Sequence, residues 1–161
     1  MASYPPSDCC ARGFIHEGEP KGTYIDLDNI KTYKTQAGSR DDAVIVILPD
    51  IFGIYLPNTL LIADQFASKS GFTTYIPDIL FNDQIALEDL NSGNVDFTKW
   101  LGDHSNEITR AIAEKALKSI KAENPDKKIC VLGYCFGAKY AVQQGAKDGI
   151  ADVVAIAHPS F

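Results

Sequence analysis

The sequence lacks the features by which nucleic-acid-binding proteins and membrane proteins are usually identified. It has no basic run, and its 15 lysines and arginines are outnumbered by 21 aspartates and glutamates, which gives a net charge of −6. Such a chain is repelled by phosphate backbones and anionic lipid surfaces. No apolar run is long enough to span a bilayer, and residues 1–6 have neither region of a signal peptide. We therefore expect a cytoplasmic protein whose partners include no nucleic acid and no membrane.

The sequence also has too few cysteines for a disulfide scaffold, and it contains no repeat or linker. Four cysteines in 161 residues do not make a disulfide scaffold. Cys9 and Cys10 are neighbours, which rarely bridge, and with His16 they lack the spacing of a zinc knuckle, so we expect no metal and no cofactor. We expect a single domain over residues 1–161. A monomer is expected because no amphipathic interface stripe stands out.

What the sequence does contain is a regular alternation of apolar runs and helical patterns. Residues 43–48 are unbroken apolar and β-branched, which is typical of a central parallel strand buried on both faces. Strands that alternate with helices predict an α/β fold, a mainly parallel sheet with right-handed crossovers and flanking helices. The predicted strands are 43–48, 72–76, 129–132 and 153–157, with an edge hairpin of 23–25 and 30–34; the predicted helices are 56–70, 97–101, 104–122 and 138 to about 145 or 147.

The pattern is organised around the stretch Gly-Tyr-Cys-Phe-Gly at 133–137. It lies between a predicted strand and a predicted helix, which is the nucleophile-elbow pattern with sulfur in place of the usual serine oxygen. The turn needs Gly133 and Gly137 because the two backbones pass too closely for a Cβ atom. It places the Cys135 thiol at a helix N-terminus, where backbone N–H groups favour the thiolate. The alternative is a buried strand-end cysteine between two chance glycines, since so short a pattern occurs by accident.

Two further strand ends carry Pro-Asp, at 49–50 and 77–78, and the first continues as Ile-Phe-Gly. Open α/β sheets bind their ligands at such carboxyl ends of strands. With the elbow, and in this order, these segments resemble the dienelactone hydrolase family, which are α/β-hydrolases with a cysteine nucleophile. Residues 9–18 are similar to the fungal and other eukaryotic members in particular.

The resemblance implies that Cys135 is the nucleophile and that the backbone N–H groups of Ile51 and Phe136 form the oxyanion hole. Asp50 stands where family members commonly have a glutamate that can interact with the cysteine; an Asx-type turn or helix cap is the equally weighted alternative. Asn82 stands where bacterial members have an arginine that holds the substrate carboxylate. A neutral amide cannot replace a bidentate guanidinium, so dienelactone itself is not the expected substrate.

The resemblance also implies an α/β-hydrolase fold that is incomplete at the C-terminus. The aspartate and histidine of the triad follow the nucleophile in this fold, and nothing after residue 137 matches either family motif. His158 ends the strand after the elbow, where pocket lining or hydrogen bonding is expected more than a role as base. His104 is expected to begin a helix and to be solvated, and His16 lies in the lead-in. The last strand, 153–157, would then be an exposed edge, and a C-terminal fragment of the same protein is the expected partner if the chain is cleaved.

These interpretations lead to one leading function and two alternatives. The leading hypothesis is a cysteine-dependent hydrolase of a small ester or lactone, in which Cys135 attacks the carbonyl carbon. A non-catalytic α/β module that binds a small ligand or partner at the strand ends is the alternative of another class. A redox sensor that uses an acidic Cys135 is the third. The sequence leaves open whether the acidic region 79–96 is a lid or a loop.

Overall fold

A six-stranded sheet forms the centre of the molecule. The computed structural model describes residues 15–160, so Cys9 and Cys10 lie outside the described residues. The strands are β1 (Thr23–Leu27), β2 (Ile30–Thr35), β3 (Arg40–Leu48), β4 (Phe72–Pro77), β5 (Lys128–Tyr134) and β6 (Val153–Ala157). The helices are α1 (Pro57–Ser70), α2 (Leu87–Ser92), α3 (Phe97–Asp103), α4 (Asn106–Glu123) and α5 (Phe136–Gln144).

The strand order is β1-β2-β4-β3-β5-β6, and the four strands β4, β3, β5 and β6 are parallel. β1 and β2 form an antiparallel hairpin, and β2 adds antiparallel to β4, which leaves β1 at one edge. The predicted α/β fold with a mainly parallel sheet and flanking helices is thereby confirmed. Because all four parallel strands end at the same edge, the loops that follow β3, β4, β5 and β6 lie side by side.

Strand β3 is buried on both faces, as its apolar run predicts. Val44, Val46 and Leu48 are fully buried in the core that α4 and α5 cover. The alternate residues Ile45 and Ile47 belong to a second core on the opposite face, beneath α1. The two-residue period of a strand thus divides one run between two cores, and it holds the carboxyl end of β3 rigidly in place.

Strand β6 is the opposite case, since it forms the other edge of the sheet and is largely exposed. Val153 keeps 55% and Ile156 keeps 44% of their surface accessible, whereas only Val154 packs against the core under α5. An edge strand with exposed apolar side chains presents both unpaired backbone groups and an apolar face to solvent. The exposed edge that the sequence predicted is therefore present.

One helix boundary differs from its prediction. His104 does not begin a solvated helix; it ends α3 and is 7% exposed. Its ring stacks on Trp100 at 4.1 Å between centroids, and Nδ1 lies 2.8 Å from the Trp100 carbonyl oxygen. Helix α4 begins after Ser105, whose hydroxyl accepts a hydrogen bond from the Ile108 N–H group. The serine cap separates the two helices, which helical periodicity alone does not detect.

Within residues 15–160, no helix has the length and hydropathy needed to cross a bilayer. In the same residues, no three histidine, cysteine, aspartate or glutamate side chains come together as a metal site would require.

Candidate active site

Cys135 is the first residue after β5 and the N-cap of α5. Its backbone has φ +50° and ψ −113°, a left-handed conformation that a residue with a Cβ atom adopts only at some cost. The strain comes from turning the chain from strand into helix within one residue. The result is a half-buried thiol raised above the end of the sheet, at the N-terminus of a helix of nine residues.

Both glycines of the elbow are required by close backbone approach, as the sequence predicts. A Cβ atom on Gly133 would lie 2.5 Å from the Cα atom of Ala138 in α5. A Cβ atom on Gly137 would lie 2.5 Å from the carbonyl oxygen of Pro49 and would also strike the carbonyl oxygen of Leu48. Gly137 therefore lets α5 pack directly against the end of β3. That contact sets the elbow beside the loop that follows β3.

The loop after β3 carries Ile51, whose backbone N–H group is one of the two predicted oxyanion donors. β3 pairs with β5 in parallel so that Leu48 is opposite Gly133, and Ile51 follows three residues later. The side chains of Ile51 and Phe136 are 8% and 3% exposed, so both backbones are anchored in the core. Within residues 15–160, neither of their N–H groups donates to a protein acceptor. Two anchored, unsatisfied donors near a raised thiol are what an oxyanion would need.

Asp50 makes a turn at the end of β3. Its Oδ1 accepts a hydrogen bond from the Phe52 N–H group at 2.9 Å, and its carbonyl oxygen accepts one from Gly53 at 3.1 Å. The first bond is that of an Asx-type turn. Burial raises the pKa of the carboxyl from its usual 3.8 to about 6, and the hydrogen bond from Phe52 partly opposes the rise. A role of Asp50 towards the thiol stays a prediction.

Asn82 lies at the end of β4 in a left-handed conformation, with φ +65°. Asparagine tolerates this backbone better than most residues. Its N–H group donates to Asp78 Oδ2 at 2.8 Å, which closes the turn. Asn82 also lines a cavity of about 250 Å³ with Lys31 and Tyr55. The structure thus brings an exposed asparagine and a lysine to the strand end where bacterial relatives are expected to have an arginine.

The sequence interpretation did not single out Lys31 as a site residue. Its ammonium group lies 4.7 Å from the ring centroid of Tyr24 and 4.8 Å from that of Tyr55. Because β2 runs antiparallel to β4, the start of β2 lies at the carboxyl edge of the sheet. The predicted hairpin already implied this position of Lys31, because the first residues of its second strand must lie at the carboxyl ends of the parallel strands.

The turn after β6 also reaches the elbow. β6 pairs with β5 so that Ala157 is opposite Tyr134, which places His158 at the same edge as Cys135. His158 has φ +53° and is exposed, and its predicted role near the site is open. Ser160, which the sequence interpretation did not consider, lies with Oγ 2.9 Å from the Cys135 Sγ atom. The sequence indicates its proximity to Cys135 only by position, because Ser160 comes three residues after the strand that neighbours the elbow.

Comparison with known proteins identifies relatives over almost the whole chain. The model of the dienelactone hydrolase family matches residues 30–161. Hydrolase tropI of Talaromyces stipitatus has 36% sequence identity to this chain, in an alignment that covers 99% of it. Dienlactone hydrolase 1 of Gibberella moniliformis has 35% sequence identity, in an alignment that covers 97% of the chain. The chain spans 65% and 62% of the lengths of these two proteins.

Solved structures show the same fold at much lower sequence identity. The dienelactone hydrolase of Anabaena variabilis superimposes with a TM-score of 0.58 at 12% identity, and the match covers 89% of this chain and 65% of that one. At this identity the likeness concerns the arrangement of strands and helices alone.

Proposed function

This chain belongs to the dienelactone hydrolase family, and we propose that it carries the nucleophile and the oxyanion hole of a cysteine-dependent hydrolase of small esters or lactones. The observation that carries the proposal is the placement of the Cys135 thiol on a strained elbow, at a helix N-terminus. A buried structural cysteine has no need of a left-handed backbone, and proteins keep such strain mainly where geometry serves function.

The first step is attack of the Cys135 thiolate on the carbonyl carbon. As the carbon–sulfur bond forms, the carbonyl electron pair moves to its oxygen, and the N–H groups of Ile51 and Phe136 donate to the resulting oxyanion. Collapse of this intermediate expels the alcohol, which takes up a proton, and leaves a thioester on Cys135. For a lactone the alcohol stays attached to the acyl group.

The second step is hydrolysis of that thioester. Water attacks the thioester carbon, loses a proton to a base, and the thiolate leaves with the bonding electron pair. A base is needed in this step, and its protonated form is needed in the first step to donate a proton to the departing alcohol. His158 is a candidate by position, and the family's histidine is expected in the third of the relatives' length that this chain does not span. The nucleophile works only as a reduced thiol, which fits a reducing compartment such as the cytosol.

The test compares two cysteine variants of the complete protein with the wild type. Cys135→Ala is expected to lower kcat/KM for p-nitrophenyl acetate and for a small lactone by about 10³-fold or more, because no other group forms the acyl intermediate. Cys130→Ala, on the strand that leads into the elbow, is the matched control and should stay within about threefold. Full turnover by Cys135→Ala would refute the proposal. Ligand binding without turnover in the wild type would favour the non-catalytic binding module.

A further inference from the structure

The turn after β6 is attached to the elbow by backbone hydrogen bonds. The Cys135 N–H group donates to the carbonyl oxygen of Ala157 at 3.1 Å, and the Ser160 N–H group donates to the carbonyl oxygen of Cys135 at 3.4 Å. Between them His158 takes a left-handed backbone, with φ +53°, which folds the chain back over the end of β5. Cys135 and His158, the left-handed residues that follow β5 and β6, thus belong to two turns that hold each other.

This arrangement brings a hydroxyl group to the sulfur. Ser160 Oγ lies 2.9 Å from Cys135 Sγ, within hydrogen-bond distance, and the serine is partly buried. We propose that Ser160 is a catalytic residue whose hydroxyl donates a hydrogen bond to the Cys135 thiolate and so maintains the reactive form of the nucleophile. This inference rests on the proposed function, because it gives Ser160 a role at the same reacting atom.

The chemistry follows from what a hydroxyl group can do. Towards a neutral thiol, either group can be the donor, and the hydrogen bond is weak in both directions. Towards a thiolate, the O–H group donates, and a hydrogen bond to an ionised acceptor is about twice as strong as a neutral one. The hydroxyl group therefore favours ionisation of Cys135 without giving up its own proton. During attack the sulfur lone pair passes to the carbonyl carbon, and Ser160 loses its charged acceptor.

The expected signature is a pH dependence, which a purely structural serine would not produce. In the complete protein, we would follow iodoacetamide alkylation of the Cys135 peptide by mass spectrometry across pH. Ser160→Ala should move the midpoint of Cys135 alkylation upwards by about 0.5 to 1 pH unit. On the acid side of the profile, kcat/KM should fall roughly three- to tenfold, and it should approach the wild-type value at high pH.

Two further variants serve as controls. Ser160→Thr keeps the hydroxyl group and should restore most of the wild-type midpoint. Ser119→Ala removes an exposed hydroxyl group that donates to the Lys115 carbonyl oxygen at 3.1 Å, far along the chain from the elbow, and it should change nothing. An unchanged Cys135 midpoint in a folded Ser160→Ala protein would overturn the inference.

A second readout needs no serine variant, in case Ser160→Ala does not fold. The infrared difference spectrum between wild type and Cys135→Ala at acid pH isolates the S–H stretch of Cys135. A thiol in contact with the Ser160 hydroxyl group gives a band displaced from that of a free thiol, whichever group donates, and a band at the free position would overturn the inference. Both readouts report the contact itself, whereas turnover by Cys135→Ala would refute the hydrolase proposal separately.

Discussion

Strand β5 carries two cysteines with opposite surroundings, one within its ladder and one just past its end. Cys130 pairs with Ile45 on one side and Val153 on the other, and it packs against the core beneath α1. Burial raises its pKa above the usual 9.0, and the nearby Asp152 carboxylate adds to the rise. Five residues later, Cys135 leaves the ladder in a left-handed turn. The same residue type is a packing residue in one place and a candidate nucleophile in the other.

The comparison shows that reactivity here depends on where the strand ends. A cysteine within a ladder is surrounded by side chains and by backbone groups that already bond each other. A cysteine just beyond the ladder meets N–H groups that no strand partner uses, and those groups stabilise negative charge. Both thiols are half-buried, and the elbow differs in that it places its thiol at a helix N-terminus.

The largest effect on stability should come from adding a Cβ atom at Gly137, where α5 packs closely against the end of β3. In Gly137→Ala the new Cβ atom meets backbone atoms of Leu48 and Pro49, which cannot rotate away as a side chain can. We expect α5 to be pushed off β3, with a loss of about 3 kcal/mol or more in the free energy of unfolding. Urea unfolding measures the loss. In whatever protein remains folded, Cys135 should alkylate as slowly as Cys130.

The matched control is Gly102→Ala in α3. A Cβ atom at Gly102 meets nothing within 4 Å, and alanine is the better helix former by about 1 kcal/mol. This variant should be as stable as the wild type or slightly more stable, with alkylation unchanged. Equal stability losses in both glycine variants would contradict the argument from close approach.

The contrast between the two cysteines could largely be read from the sequence, because its signals are local. The unbroken apolar run of β3 and the glycines around Cys135 each predict one backbone arrangement. The contact between Ser160 and the thiol could not be predicted, since it depends on a left-handed turn at His158, and most histidines still have a negative φ. The start of α4 differs from its prediction because helical periodicity continues from His104 across Ser105, whose N-cap hydrogen bond separates the two helices.

A second effect, of intermediate size, concerns the neighbouring strand end. The raised pKa of Asp50, about 6 in the folded protein against 3.8, means that the folded state holds a proton more tightly than the unfolded state. Stability from this group is therefore complete below about pH 4, falls as pH rises towards 6, and is then constant. Asp50→Asn keeps the acceptor for the Phe52 N–H group. It should be more stable than the wild type by about 2 kcal/mol at pH 7 and by little at pH 4.

The same variant decides between the two interpretations of Asp50. If the side chain serves only the turn, Asp50→Asn should leave the alkylation midpoints of Cys135 and Cys130 where they are. If the carboxylate acts on the thiol, the midpoint of Cys135 should move and that of Cys130 should not. Thermal unfolding at pH 4, 5, 6 and 7 gives the stability profile, and a wild-type profile that is flat over this range would contradict the raised pKa.

The smallest effect should follow from removing the inert member of the pair. Valine fills the space of Cys130 with a β-branched side chain suited to a strand, so Cys130→Val should change the free energy of unfolding by less than about 1 kcal/mol. Hydrolysis should be unaffected. At pH 8 the wild-type Cys135 peptide should be alkylated well before the Cys130 peptide, because burial keeps the Cys130 thiol protonated. Equal alkylation rates in the folded protein would mean that the position of Cys135 at the end of the strand does not increase the reactivity of its thiol. The elbow would then be a structural turn only.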